Sequence, residues 1–293
     1  DKRDVEAIQS DLNSLGFTRL HEGEKMSNQT IQGRTFKAHT YRVKSLSSAL
    51  WLLFKALGVP EGNKTNQDYV LPKWLWWSSG LVKREFLAGF MGGDGPKLIM
   101  SEVARRVKSS YNHLTVNNLE FYKRSDLKDS GLKLAGQLSR LLGEFSVQIT
   151  GLAIEESGYE RKDGSKTIIV SLKFKRDFET GYNLARRIGY AYCWDKQGSA
   201  VRVGEFLRRV MEKRKWWKKV YKRALVLGKR GLSPVMVARK LGVSDGAVWG
   251  WLKLGRRPTI AKHFEKFSKW VEEARQGLTD DLIWDVVLSI EEV

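Results

Sequence analysis

The sequence predicts an α+β protein with an all-helical extension, and three observations lead to this prediction. Helical and strand-like segments alternate between Asp4 and Gly189, in an order that occurs twice. From residue 201 onward the signals are those of helices alone. The 293 residues include 52 Lys and Arg against 33 Asp and Glu, a net charge of +19, which indicates a polyanionic partner.

Composition excludes several classes of protein. The single cysteine, Cys193, rules out a disulfide framework and a cysteine-based zinc site, and it favours a cytoplasmic location. No signal peptide is recognisable, and no apolar run approaches the length of a membrane span. We therefore expect a protein that binds nucleic acid and does not enter a membrane.

The first copy of the repeated order begins with a helix. Apolar residues recur at helical spacing from Asp4 to Leu15, and a polar, glycine-rich stretch follows. Thr35 to Ser45 has the pattern of a strand, and Ser48 to Leu57 that of an apolar helix ended by Gly58. A turn-rich segment then leads to Lys64.

The second copy follows a glycine-rich helix. We expect a strand from Leu114 to Tyr122 and an amphipathic helix from Leu127 to Leu142. Two strands follow, Val147 to Ile154 and Ile168 to Phe174, and then a helix from Phe178 to Ile188.

Corresponding residues of the two copies are separated by a nearly constant distance along the chain. Examples are Phe17 with Phe145, Gly58 with Gly189, and Lys64 with Lys196. Two copies of one module explain this. A chance match remains open, since αββα arrangements are common.

The stretch Phe86 to Gly95 predicts a helix designed for close contact with another helix. Ala88, Gly89 and Gly92 recur at helical spacing and leave one face almost without side chains. Glycine inside a helix is unfavourable by ~1 kcal/mol relative to alanine, so several together indicate a packing role. Asp94 stands at the helix end.

Residues Leu87 to Gly95 resemble the LAGLIDADG motif of homing endonucleases, with Gly92 in place of the acid at the sixth position. The resemblance implies αββαββα modules related by a pseudo-two-fold axis, the first module being incomplete at the N-terminus. It also implies that Asp94 and Gly93 bind Mg²⁺, with Mn²⁺ as a substitute. The alternative is a glycine-rich buried helix that ends in an ordinary aspartate.

Two lysines occupy positions at which double-motif members of that family carry a lysine after the helix of each module. They are Lys64 and Lys196, which we expect to act with Asp94 in catalysis. Divalent metals activate water and neutralise charge at a phosphate, and lysines assist them. Either lysine could instead be an ordinary surface residue.

Basic residues continue the expected DNA surface. Val201 to Arg223 holds ten Lys or Arg against two Glu, with aromatic residues between them. A solvated helix face is the alternative. The residues expected to contact DNA here and on the strand at 168–175 are Lys173, Lys175, Arg208, Lys215, Lys218 and Lys219.

Ser233 to Gly255 predicts a helix-turn-helix. Ser233 and Pro234 begin the first helix, Gly242 ends it, and Ser244 begins the second. The segment resembles resolvase-like DNA-binding modules, although a plain αα-hairpin remains possible. The resemblance implies that the second helix enters the major groove and that basic residues clamp the backbone; the residues concerned are Ser244, Asp245, Gly246, Trp249, Arg256, Arg257 and Lys262.

The last segment, Asp281 to Val293, resembles the strand with which archaeal intein splicing domains resume; an edge strand of another domain is equally compatible. The expected domains are thus an incomplete first module (1–79), a second module (80–200), a helix-turn-helix domain (201–278) and a splicing-domain strand (279–293). We expect the first motif upstream of residue 1, so that the intact protein acts as a pseudo-symmetric monomer.

Together these resemblances imply an intein-encoded, site-specific double-strand DNA endonuclease. Two other functions fit the same patterns. One is a transcriptional regulator that binds DNA without cleaving it, and the other is an RNA-splicing maturase.

Overall fold

A computed structural model describes residues 1–31, 34–104, 110–160, 163–258 and 264–275. Lys262 and the strand expected at 281–293 lie outside these ranges. Over the described residues the protein is α+β, with ten α-helices and seven strands in three small sheets. It divides into two compact units. The first comprises Asp1–Ile99 with Val116–Glu205, and the second comprises Met100–Thr115 with the residues from Phe206 onward.

The first unit begins with helix α1 (Lys2–Ser14), whose N-terminus is capped by the Asp1 side chain. Strands β1 (Leu20–Ile31) and β2 (Arg34–Ser45) then form an antiparallel hairpin. Strand β2 was predicted, whereas β1 was not. Its residues are mostly polar and exposed, so the backbone pairing with β2 defines the strand and no apolar alternation announces it.

Three short elements lead to the motif helix. Helix α2 (Ser48–Ala56) lies where the sequence predicts a helix, and Ser47 caps its N-terminus. A 3-10 turn (Lys64–Asn66) and helix α3 (Lys73–Trp77) follow.

Helix α4 (Gly80–Gly93) carries the glycine-rich motif and begins earlier than expected, after the cap residue Ser79. One side of it packs against the backbone at Ala191. The Ala191 amide donates to the Ala88 carbonyl at 2.9 Å. A Cβ placed on Gly92 would lie 1.8 Å from the Ala191 carbonyl oxygen. The backbone at this point therefore leaves no room for a side chain on Gly92.

The strand expected from Leu114 to Tyr122 is two strands. Strand β3 (Leu98–Ala104) pairs with β4 (Ser110–Val116) in one sheet, and β5 (Leu119–Arg124) belongs to another. The break falls at Asn117 and Asn118, a residue type that favours turns over strands. The prediction of one continuous strand was wrong, and β3 was not predicted.

The sheet that contains β5 carries the core of the first unit. Helix α5 (Lys128–Glu144), β6 (Ile149–Glu160) and β7 (Lys166–Phe174) follow in the chain, and the strand order is β5-β7-β6, all antiparallel. Helix α5 packs on this sheet. The residues buried between them are Leu134, Leu138, Leu141, Val170 and Leu172.

Helix α6 (Phe178–Asn183) continues into a π-helical turn (Leu184–Ile188). The order helix, strand, strand, helix thus occurs twice, as α1-β1-β2-α2 and as α5-β6-β7-α6. This repeat of elements is the one the sequence predicts; a two-fold relation between the copies stays a prediction.

Helix α7 (Trp194–Lys229) runs from the first unit into the second. In the second unit, α8 (Pro234–Leu241) and α9 (Asp245–Leu252) pack with it around a small apolar core. Helix α10 (Phe267–Arg275) was not predicted. Phe206 contacts its aromatic residues, and the Asn112 side chain accepts a hydrogen bond from the Phe267 amide at 2.8 Å.

Within the part of the chain that the structure describes, no helix is both long and apolar enough to cross a membrane.

Alanine substitutions at two glycines of α4 are expected to change the free energy of unfolding in opposite directions. Gly92→Ala should lower the free energy of unfolding by ~2–4 kcal/mol, because the new methyl group meets the Ala191 backbone. Gly89→Ala should raise it by up to ~1 kcal/mol, because a Cβ there meets nothing within 4 Å and alanine favours the helix. Urea denaturation of the two variants measures both effects. Equal stabilities would contradict the packing of α4 on Ala191.

Candidate functional site

The Asp94 carboxylate lies immediately after the last residue of α4, and its side chain is 36% exposed. The Lys64 ammonium donates a hydrogen bond to it from the 3-10 turn. Asn63 fixes that turn, since its side chain accepts from the Thr65 amide at 3.0 Å. The structure thus brings together two of the three predicted catalytic residues, which are 30 positions apart in the chain.

The third predicted catalytic residue, Lys196, contacts the backbone of α4. From the first turn of α7 its ammonium donates to the carbonyls of Gly92 at 2.8 Å and Gly93 at 2.9 Å. These carbonyls form the negative end of the helix dipole, where a cation is favourable. In this structure Lys196 caps α4, and it is not paired with Asp94.

The residues expected to bind Mg²⁺ have suitable donor chemistry. The carboxylate of Asp94 and the carbonyl of Gly93 are hard oxygen ligands of the kind that Mg²⁺ prefers. Both already accept hydrogen bonds from ammonium groups. Among the described residues, no group of three or more His, Cys, Asp and Glu side chains is placed to hold a metal. Metal binding here would thus use few protein ligands, with water and phosphate completing the shell.

An apolar cavity of about 780 Å³ adjoins Asp94 in the first unit. Tyr69 lies in its wall, and burial raises the pKa of this phenol, with a further increase from the Asp94 carboxylate. The other residues that line it are mostly apolar and come from α2, α4 and the loop between them, for example Phe54, Leu57, Leu81, Val82, Phe86 and Phe90. Asp94 and Lys64 form a polar corner of this cavity.

The small residues of α4 divide into two sets. Ala88 and Gly92 are buried against Ala191, so they do not lie on an open face. Gly89 and Gly93 have open space where a side chain would stand. We define the open face of α4 by Val82, Phe86, Gly89, Phe90 and Gly93. Of the residues predicted for a helix–helix interface, only Gly89 lies on this face.

Sequence analysis missed one residue near the site. Lys123 lies on β5 and is 1% exposed. Its ammonium donates to the carbonyls of Lys64 at 3.0 Å and Gln67 at 2.6 Å. The sequence contains a signal for this residue, because Lys123 continues the alternation of Leu119 and Phe121, which occupy the inward positions of the strand.

Of the sheet lysines predicted to contact DNA, Lys173 is exposed on β7. Lys175 follows the strand and pairs with Asp177 at 2.9 Å, which raises the pKa of the lysine. On α7, Arg208 pairs with Glu212, and the lysines expected to contact phosphates are exposed, namely Lys215, Lys218 and Lys219.

The predicted helix-turn-helix segment folds as two helices joined by a tight turn. Ser233 caps α8, and Gly242 ends it with a φ of +64°, which glycine adopts readily. On α9, Val248 and Trp251 are buried, whereas Ser244, Asp245 and Trp249 are exposed.

A polar pocket of about 330 Å³ lies at the start of α9. Its lining includes Ser244, Gly246, Arg256 and Arg257. The structure therefore brings two of the predicted groove-facing residues, Ser244 and Gly246, together with the predicted phosphate clamps Arg256 and Arg257. Asp245 and Trp249 do not line this pocket.

The chain is similar to segments of three proteins of Methanocaldococcus jannaschii. It is 32% identical to a tRNA-splicing ligase RtcB, 29% identical to a replication factor C small subunit and 28% identical to a DNA-directed RNA polymerase subunit Rpo1N. The alignments cover 98%, 92% and 71% of this chain, but 29%, 14% and 15% of the respective relatives. The chain thus spans less than a third of each of these relatives. No family model and no solved structure matches it.

Two lysine variants should separate structural from functional roles. Lys196→Met should lower the free energy of unfolding by ~1–2 kcal/mol, because the helix-end carbonyls lose a charged donor. Lys64→Met should change it by less than ~0.5 kcal/mol, because half-exposed ion pairs contribute little. Thermal and urea unfolding compare them, and a Lys64 effect as large as that of Lys196 would contradict this division.

Proposed function

We propose that this chain is the endonuclease region of an inserted element, a LAGLIDADG-type homing endonuclease that cuts double-stranded DNA at a long specific site. The observation that carries the proposal is the hydrogen bond from the Lys64 ammonium to the Asp94 carboxylate at the end of α4. The pair places a carboxylate that can bind a divalent metal beside a cation that can stabilise charge on a phosphate, and both groups serve metal-assisted phosphodiester hydrolysis.

The comparisons support the idea of an inserted element. This chain aligns over 304, 274 and 214 residues with proteins named as a ligase, a replication factor subunit and an RNA polymerase subunit, respectively. These names have no activity in common, and the shared segment is a minor part of each protein. A segment that moves between genes would be distributed in this way.

RNA ligation is a second candidate, because several of the similar proteins are named tRNA-splicing ligase RtcB. The similarity to the replication factor and polymerase subunits weighs against it, since neither is named a ligase. An assay for joining of RNA ends separates the two candidates.

The roles of the residues follow from their positions. A bound Mg²⁺ or Mn²⁺ would supply an activated water and neutralise charge at the phosphate. The Asp94 carboxylate would hold that cation in place of its hydrogen bond from Lys64. The Lys64 ammonium would then be available to stabilise negative charge on the phosphate. Lys196 keeps the end of α4, and with it Asp94, in place.

The open face of α4 supports the expected pseudo-two-fold arrangement. Gly89 and Gly93 allow a second backbone to approach closely, and Phe86 and Phe90 flank them with apolar surface. A second motif helix on this face would bring a second carboxylate beside Asp94, one for each DNA strand. The repeated element order fits αββαββα modules of this kind.

The second unit extends the DNA contact in this proposal. Helix α9 enters the major groove with Ser244, Asp245 and Trp249 leading, and Arg256 and Arg257 hold the phosphates beside it. The exposed lysines of α7 add contacts that do not depend on sequence. The non-cleaving regulator and the maturase named above remain outcomes of the tests that follow.

The first test removes the negative charge of Asp94. Asp94→Asn should abolish DNA cleavage in Mg²⁺ and in Mn²⁺, while affinity for the DNA site changes by no more than a small factor. Asp126→Asn is the matched control, because it neutralises an exposed carboxylate that pairs with Arg124. The assay uses this chain together with any residues that precede it in its gene. Cleavage by the Asp94 variant at the wild-type rate would refute the role of this carboxylate.

The second test concerns the phosphate clamps. Replacing Arg256 and Arg257 by alanine should lower the slope of log affinity against log salt by ~2, since each phosphate contact accounts for ~0.9. The matched control replaces Lys133 and Arg140, two exposed cations of α5, and should leave the slope unchanged. Equal slopes in all three proteins would show that the second unit does not hold DNA through these arginines.

A further inference from the structure

Lys123 is a buried cation that the proposed chemistry does not use. Its side chain is among the largest fully buried ones in the described residues, at 1% exposure. The ammonium has three donor directions. Two of them meet the carbonyls of Lys64 and Gln67, and the Tyr69 ring lies 4.2 Å from the nitrogen.

The surrounding core is shaped around this side chain. Lys123 takes the inward position that follows Leu119 and Phe121 on β5, where an apolar residue would be expected. A Cβ on Gly131 of α5 would lie 3.3 Å from the Lys123 Cγ and 2.9 Å from Val170. The glycine therefore gives the lysine stem room to pass beneath α5.

Packing alone does not account for a lysine here. Burying an ammonium is unfavourable unless hydrogen bonds replace its water, and burial lowers the pKa of Lys123. A leucine or methionine would fill the same space without that penalty. The charge is therefore present for what it binds.

The ammonium binds the backbone of the segment that carries Lys64. Its two carbonyl partners are those of Lys64 itself, at the start of the 3-10 turn, and of Gln67, just after it. The backbone of Lys64 is thereby tied to β5, while its side chain extends to Asp94.

We infer that Lys123 is a positioning residue, which holds the 64–67 segment so that the Lys64 ammonium reaches Asp94. The inference concerns the geometry of the Lys64–Asp94 pair, and only its effect on cleavage rests on the proposed function. Lys123 acts only through Lys64, because its own side chain lies in the core. Lys64, in contrast, contacts Asp94 directly.

A chemical measurement tests the geometry without any cleavage. An amine-reactive acetylating reagent, followed by mass spectrometry, gives the labelling rate of each lysine in the folded chain. Pairing with Asp94 slows labelling of Lys64, and Asp94→Asn removes that protection. Lys123→Met should raise the Lys64 rate to the same level as Asp94→Asn does.

Two control lysines distinguish a local effect on Lys64 from a general destabilisation of the fold. Lys83, which pairs with Glu144 at 2.8 Å and has a 12% exposed side chain, should keep its labelling rate in Lys123→Met. Lys166→Met, on an exposed lysine of β7, should change neither rate. If Lys123→Met fails to fold, Lys123→Gln replaces it, since the amide NH₂ keeps two neutral donors without the charge and should give an intermediate Lys64 rate. An unchanged Lys64 rate, or equal acceleration of Lys83, overturns the inference.

Cleavage provides the second measurement. Lys123→Met should slow cutting by the same factor as Lys64→Met, on the order of 10²-fold. The double variant should be no slower than either single one, because both remove the same contribution. Affinity for DNA should stay unchanged. Multiplied effects in the double variant would overturn the positioning role.

The two measurements fail in distinguishable ways. If the wild-type chain, with any upstream residues, does not cut DNA, the proposed function fails, and labelling still decides whether Lys123 positions Lys64. If cutting is normal in Lys123→Met although Lys64 is released from Asp94, the endonuclease proposal stands and the functional part of the inference falls.

Discussion

The contact between Gly92 of α4 and the backbone of Ala191 determines where the candidate site lies. No side chain fits between them, and the Ala191 amide also bonds to the Ala88 carbonyl. Such contact fixes the C-terminal end of α4, because a close-packed backbone contact leaves little room for movement. Asp94, at the end of that helix, takes its position from this backbone contact. Lys196 strengthens the same arrangement by capping the helix end.

Charge is arranged unevenly around this point. In a chain of net charge +19, one carboxylate lies between an ammonium that pairs with it and another that caps its helix. The Lys64–Asp94 pair is half-exposed, and pairs of this kind contribute only ~0–1 kcal/mol. Lys64 can therefore exchange its partner for a phosphate with little change in the free energy of unfolding. A buried pair would resist that exchange, so the exposure of this pair is compatible with the proposed endonuclease function.

Local signals in the sequence predicted many of the elements, and distant contacts decided the rest. Caps and apolar spacing predicted α2, α5, α8 and α9, and the helical motif around Gly92. Strand β1 was missed because its residues are polar and depend on pairing with β2. Helix α10 was missed although Phe267 and Trp270 are spaced for a helix, since the Asn112 side chain that holds its start comes from β4, 155 residues earlier in the chain. The sequence could not reveal which glycines of α4 are covered, because Ala191 is about a hundred residues away. Lys123 could have been found, as a lysine at an inward strand position.

The most direct measurement uses a plasmid that carries the gene in which this chain is encoded, with the proposed inserted element removed from it. The chain, with any residues that precede it, is incubated with this DNA and Mg²⁺, and the ends of the products are sequenced. The account predicts one double-strand break at a defined position near the point of insertion. It also predicts no break in the same plasmid when the segment is present, because the insertion divides the recognition site. Intact DNA in both cases, or breaks scattered along the plasmid, would contradict the assignment of a site-specific endonuclease.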